Sequence, residues 1–247
     1  MGNKSNSSTP PSTTGGVGGC LRTIQKWLQR IVIFFFASTI LAVVAYRWLP
    51  VPATPLMFIR CAQQVRHGQQ LRLRHHWVPL DSMSKYMPVA VMASEDQLFM
   101  QHHGFDFNAI GQAVKERQAG KRQRGGSTIS QQTAKNVFLW PTQSWLRKGL
   151  ETYFTALIEI CWSKRRIMEV YLNSIEMGNG IYGTEAVAQW NFGCTAAELT
   201  RADCALIAAT LPNPLKFSSK EPSAYMLKRQ TWIMRQMKHI DLMPKEE

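Results

Sequence analysis

Ser94-Glu95-Asp96-Gln97-Leu98-Phe99-Met100-Gln101-His102-His103-Gly104-Phe105-Asp106 is the stretch on which the reading of this chain turns. A helical pattern over 85–103 places Glu95, Phe99 and His102 at i, i+4 and i+7, on one face. A carboxylate held against an aromatic wall is raised in pKa by desolvation, as a general base requires. The same spacing also describes a solvated Glu-Asp pair above a core histidine. Asp106, just past the helix-breaking Gly104, suits the N-cap of a following helix.

Downstream, Arg124-Gly125-Gly126-Ser127-Thr128-Ile129-Ser130-Gln131-Gln132-Thr133-Ala134-Lys135 delivers two glycines to a Ser/Thr cap, with Lys135 two turns into the helix. A helix N-terminus with spare N–H groups, flanked by cations, is an anion site. The P-loop spacing G-x-x-x-x-G-K-[ST] is absent. Next, Arg147-Lys148-Gly149-Leu150-Glu151 sits in a long amphipathic helix. Arg147 and Lys148 stand four and three residues before Glu151, which makes either an intrahelical salt bridge or a phosphate clamp with its carboxylate orienter. The pattern predicts helices near 85–103, 107–119, 128–138, 144–172, 182–191, 200–210 and 222–239, with few strands. Gly178-Asn179-Gly180-Ile181-Tyr182-Gly183 reads as a flexible loop over or beside a cleft.

Upstream the character changes. Residues 1–21, rich in Ser, Thr, Gly and Pro, read as a disordered cytoplasmic tail. Residues 22–49 read as a transmembrane anchor, because no charge interrupts Ile31 to Tyr46 and arginines flank the run. Arg22, Lys26 and Arg30 before it put the N-terminus in the cytoplasm by the positive-inside rule. Small residues at Val43-Val44-Ala45 keep a cleavable signal peptide as the rival, with the long tail in front favouring an anchor. Pro-punctuated residues 50–81 read as a membrane-proximal linker, and 82–247 as one mainly helical, all-α domain. A net charge of +13 predicts an anionic partner, and no acidic residue precedes Asp81, which suits anionic head groups. The five cysteines are an odd number without a CxxC pair, so buried thiols are expected, with Cys194–Cys204 the one pairing kept open. The adjacent pairs His75-His76 and His102-His103 lack metal-ligand spacing.

Taken in order, Glu95-Asp96-x-x-Phe99-x-x-His102-x-Gly104-x-Asp106, Gly125-x-Ser127-Thr128-Ile129-x-Gln131-Gln132, Arg147-Lys148-x-x-Glu151, and Ser163-Lys164 through Tyr171-Leu172-Asn173 resemble the successive signature motifs of the peptidoglycan glycosyltransferases, glycosyltransferase family 51. The resemblance covers roughly residues 50–240. Trp162-Ser163-Lys164, Ala209-Thr210-Leu211-Pro212-Asn213-Pro214 and Trp232-Ile233-Met234-Arg235-Gln236-Met237 look most like the stand-alone, monofunctional Gram-negative members.

The resemblance implies a lysozyme-like domain that joins disaccharide units of lipid II into β-1,4 glycan strands, with inversion and release of polyprenyl pyrophosphate. It makes Glu95 the base on the acceptor 4-hydroxyl. Glu151, with Arg147 and Lys148, falls where the donor's pyrophosphate leaves, and Lys135 and Arg124 add positive charge there. Asp96, Phe99, His102, Ser127, Gln131 and Gln132 complete the expected substrate-binding set, and Asn173 is expected to fix a helix end. No motif calls for a cofactor, although the pyrophosphate leaves room for a divalent cation, Mg or Mn. Lipid II, the growing lipid-linked chain, the membrane and other cell-wall synthesis or division proteins are the implied partners. The implied location is the inner membrane, with the catalytic domain periplasmic. Asn191, Cys194 and Asp203 depart from the family's usual aromatic, lysine and glutamate.

Four rivals share parts of this pattern. A lytic transglycosylase or lysozyme-like hydrolase has a catalytic glutamate but needs no pyrophosphate clamp, so Arg147-Lys148-Glu151 counts against it. A catalytically silent, membrane-tethered scaffold is opposed by the intact Glu95 and Glu151. Ser82-Met83-Ser84-Lys85 matches the S-x-x-K of penicillin-binding transpeptidases, but K-T-G and S-D-N are missing. Nucleic-acid binding would use the charge but has no motif.

Overall fold

An uncharged apolar run has only apolar neighbours or lipid to cover it, and here it forms part of one uninterrupted helix, α1 (Gly16–Ala45). The computed structural model describes residues 16–107, 111 and 126–244. It divides into a unit ending at Val44 and a second beginning at Ala45. Within α1, the 25 residues Leu21–Ala45 are long and apolar enough to cross a membrane. At 1.5 Å per residue they extend about 37 Å, against ~30 Å of hydrocarbon. Phe34 and Leu41 stand 73% and 70% exposed, as a lipid-facing helix requires. Residues 16–21, expected in a disordered tail, are already helical, while 1–15 lie outside the described residues.

The second unit begins with the segment expected to be a linker, and that expectation needs correction. Thr54 caps α2 (Pro55–Arg66), with Pro55 at its first position, where a missing N–H costs nothing. Gln64, buried at the end of α2, donates to Arg72 O at 3.3 Å and accepts from Arg72 N at 2.8 Å. That clamp delivers the chain to β1 (Arg74–His75). Arg60 on α2 also donates to the buried Glu176 at 3.2 Å. Residues 50–81 are therefore part of the folded unit: once paired, their backbone polar groups have no reason to stay solvated.

Further helices follow. They are α3 (Tyr86–Glu95), α4 (Ile129–Phe138), α5 (Trp145–Cys161) and α6 (Lys164–Ser174). Then come β2 (Glu176–Gly178), β3 (Ile181–Tyr182), α7 (Thr184–Val187) running into a π turn over Ala188–Phe192, α8 (Arg201–Ala208) and α9 (Ala224–Gln236). The strands form one small sheet ordered β1-β3-β2, parallel then antiparallel. α4 packs on α5 and α6, and α3 packs on α8 and α9. Phe99, Met87, Ile158, Ile167, Met168 and Leu172 are fully buried between them. Each such side chain contributes about 1.5–3 kcal/mol of burial. Phe138 stacks on Phe154 at 4.5 Å and seals the α4–α5 seam.

Several expected elements change. The helix drawn over 85–103 stops at Glu95, because Asp96 leaves helical geometry at φ −159° and turns its carboxylate to another element. The helix drawn over 144–172 is two. Trp162, extended at φ −115°, ends the first, and Ser163 caps the second, its Oγ accepting from Arg166 N at 3.1 Å. The flexible loop at 178–183 is a tight hairpin. Gly180 has φ +72°, and a Cβ there would meet Arg72 O at 2.3 Å, so only glycine lets β1 lie against it. Asn173 does more than end a helix: it brackets Val78, accepting from its N at 3.0 Å and donating to its O at 2.9 Å. The helix expected at 107–119, with its Asp106 cap, falls largely outside the described residues. Cys194 and Cys204 are free thiols, and burial pushes Cys204 up to about 12.

Candidate active site

Two carboxylates organise the site, and each is placed by a helix end or a helix face. Glu95 is the last residue of α3, where the helix no longer needs its side chain for packing. Its side chain is 17% exposed. One oxygen accepts from Ser94 Oγ at 3.2 Å and the other from Gln132 Nε2 at 3.2 Å. Gln132 is itself held from behind by the Tyr171 hydroxyl, which donates to its Oε1 at 3.1 Å. Tyr171 is fully buried on α6, and burial raises its pKa well above the ordinary value, so it remains a proton donor. Arg229 on α9 stands 4.0 Å from the Glu95 carboxylate and donates to Ser94 Oγ at 3.2 Å.

Beneath Glu95 lies a scaffold. Asp96 is buried, and its carboxylate accepts from Ile129 N at 2.9 Å, the first turn of α4. It also meets His102 Nε2 at 2.9 Å, while His102 Nδ1 accepts from Gly104 N at 3.1 Å, which fixes the ring's tautomer. Gly104 O in turn accepts from Thr128 Oγ1 at 2.7 Å. The loop after Glu95 is thereby tied to the start of α4. Thr128 and Gln131 form a reciprocal cap there. Glu95, Phe99 and His102 thus do not share a helix face. Phe99 is fully buried under the Lys164 ammonium, 4.6 Å from its ring centre, and lies beyond the reach of substrate. His102 and Asp96 likewise act on the backbone around them.

The second carboxylate is Glu151, buried on α5. Arg147 Nη1 binds one oxygen at 2.6 Å and Lys148 Nζ the other at 2.5 Å. Spacing alone leaves open whether this is a simple salt bridge; the surroundings argue for more. A cavity of about 100 Å³ is lined by Ser127, Gln131, Gln132, Lys135, Arg147, Lys148 and Glu151. The Lys135 ammonium has no hydrogen-bond or ion-pair partner among the described residues. Burial lowers its pKa first of all, with the Glu151 carboxylate opposing that and the Arg147 and Lys148 charges adding to it. The Nε atoms of Arg147 and Arg229 are buried without hydrogen-bond partners among the described residues. The Arg147 donor, without an acceptor and beside a lysine held among cations, makes this pocket short of an anion, whereas Arg229 lies outside its lining. Gln132 links the two halves, lining this cavity while donating to Glu95. Arg124 lies outside the described residues.

No group of three or more potential metal ligands occurs among the described residues. Sequence reasoning missed Ser94, Arg229 and Glu159 as supports. Glu159 joins Ser130 to Lys164, which it meets at 2.8 Å. Arg229 meets Ser94 across 135 residues and Ser130 meets Glu159 across 29, so no local spacing could announce those contacts.

A family model described as Transglycosylase matches residues 63–238, which spans every site residue above. The chain is 58% identical over 227 residues to a "Biosynthetic peptidoglycan transglycosylase" from Bacteroides thetaiotaomicron, 92% of each sequence being covered. A protein of the same name from Pseudomonas putida (strain GB-1) is 47% identical over 89% of this chain and 93% of its own. One from Caulobacter vibrioides is 50% identical over 84% and 88%.

Proposed function

The chain belongs to the transglycosylase family, and on that premise we propose how its residues divide the chemistry. It is a peptidoglycan glycosyltransferase of cell-wall synthesis with a lysozyme-like helical domain, acting on lipid II and the growing glycan chain. Glu95 takes the proton from the acceptor's sugar 4-hydroxyl as that oxygen attacks the anomeric carbon of the donor. Both its oxygens already accept hydrogen bonds from neutral donors, which suits a base. The attack displaces the lipid pyrophosphate from the opposite face, so the α-linked donor gives a β-1,4 bond.

Charge accumulates on that departing pyrophosphate, and fixed cations stabilise it more than a proton would. Lys135, Arg147 and Lys148 supply them, and Glu151 holds the last two in register. The observation that carries this reading is the small cation-lined cavity joined to Glu95 through one side chain, Gln132. A hydrolase would have no use for it.

The rest of the setting follows from the same reading. α1 anchors the enzyme in the inner membrane with its N-terminus cytoplasmic, and the catalytic domain works on lipid II from the periplasmic side. Other cell-wall synthesis or division proteins are natural neighbours there. Purified protein incubated with labelled lipid II should yield polymeric glycan on a gel, and Glu95→Gln should abolish it while leaving the melting transition in place. Wild-type rates in Glu95→Gln would reject the base assignment, and soluble cleavage products from preformed glycan would favour a hydrolase.

A further inference from the structure

A larger cavity, about 490 Å³, shares no lining residue with the cleft around Glu151. Its size is that of a ligand groove, ~300–1,000 Å³. Arg72, Arg74, Lys216 and Lys220 line it together with Trp190 and Phe217, and no acidic residue does.

The walls are built, not draped. The buried Gln64 amide holds Arg72 by its backbone, Arg74 N donates to Gly180 O at 2.8 Å, and the Gly180 contact admits no side chain. Arg74 lies over Trp190 at 4.4 Å from the ring centre, and Trp190 is 48% exposed. On the facing wall, Asn191 donates to the buried Ser219 at 2.7 Å and ties the π turn to the 214–220 segment. Asn191, one of the departures from the family's usual residues, thus has a use.

Aromatic faces flanked by arginine and lysine suit sugar rings that carry carboxylates. We propose that this groove is a second, non-catalytic site that binds the peptide-bearing glycan strand through its stem-peptide carboxylates. The proposal rests on the function above, since that product is a glycan branched with carboxylate-ended peptides. Four cations and no carboxylate in the lining give the complementarity. The groove would hold the polymer at a point distinct from the cleft that extends it.

Calorimetry on the full chain in detergent tests this. The probe is soluble, uncrosslinked oligosaccharide carrying stem peptides, and the background is Glu95→Gln, so that no turnover intrudes. Arg74→Ala/Lys216→Ala should bind at least about tenfold more weakly, and Lys228→Ala, an exposed charge on α9 that lines neither cavity, should bind as its parent does. Lys216→Ala/Lys220→Ala, confined to the loop, should weaken binding similarly and serves if the first pair misfolds. Undiminished affinity in the variants overturns the proposal, as does equal affinity for peptide-free glycan. Displacement of the probe from the groove by dihexanoyl phosphatidylglycerol would assign it to lipid and overturn it too. Wild-type polymerisation is read separately: its absence sinks the function above whatever the groove binds.

Discussion

Replacing Glu151 with glutamine separates the two things that this carboxylate does. Glu151 is 3% exposed and accepts charge-assisted hydrogen bonds from Arg147 at 2.6 Å and Lys148 at 2.5 Å. Removing one partner of a fully buried pair costs ~3–5 kcal/mol. Here the Lys148 side chain is 43% exposed and can find water, and Arg147 is 11% exposed, so most of the loss falls on one contact. About 2 kcal/mol is the resulting expectation. For a domain of this size that lowers the melting temperature by about 4–8 °C.

Binding should move the other way. With Glu151 neutral, Lys135, Arg147 and Lys148 face the cavity without their internal anion, so inorganic pyrophosphate should bind more tightly. Turnover should nonetheless collapse, because the cations no longer hold one geometry and the product lingers. Titration calorimetry with pyrophosphate, thermal melting and lipid II polymerisation read the three quantities. Weaker pyrophosphate binding, or wild-type turnover in a folded Glu151→Gln protein, would refute the clamp.

Tyr171→Phe removes the hydroxyl that holds Gln132 and leaves a buried amide oxygen without its donor, at a cost of about 1–2 kcal/mol. Its kcat should fall more than its KM changes, because Glu95 loses the neighbour that orients it; an unchanged kcat would remove Gln132 from that role. Lys135 is lowered by burial, so its charge disappears below the ordinary lysine range. The alkaline limb of kcat/KM should therefore begin earlier than an ordinary lysine allows, and Lys135→Arg, charged throughout, should move it upward. The sign for stability follows from the same shift. Carrying the charge costs the fold something below the lowered folded-state value, and that cost is relieved as pH rises from it towards the unfolded value. Wild type should accordingly gain on Lys135→Met across that window, and parallel pH–stability curves would refute the shift. Gly104→Ala meets Thr155 Cγ2 at 2.9 Å at φ +88°, and should lose ~1–3 kcal/mol in urea unfolding. Gly68→Ala has a similar φ, +64°, but open space around it, and should lose less.

What could be read from the sequence alone was whatever lives within a few residues. Arg147, Lys148 and Glu151 meet because a helix brings i, i+3 and i+4 together. Thr128 and Gln131 cap α4 three residues apart, and an apolar run without charges specifies α1 before any folding occurs. These are local consequences of backbone geometry, and the ordered motifs carried the family. The environment of Glu95 is another matter. Its partners Gln132 and Arg229 come from other helices, and Tyr171 steadies Gln132 across 39 residues. No periodicity encodes where one helix ends up against another. The break after Glu95 shows this most clearly. Propensity would continue the helix, but Asp96 gains more from the α4 N-terminus and His102 than from another turn, and only the packed tertiary structure supplies those partners.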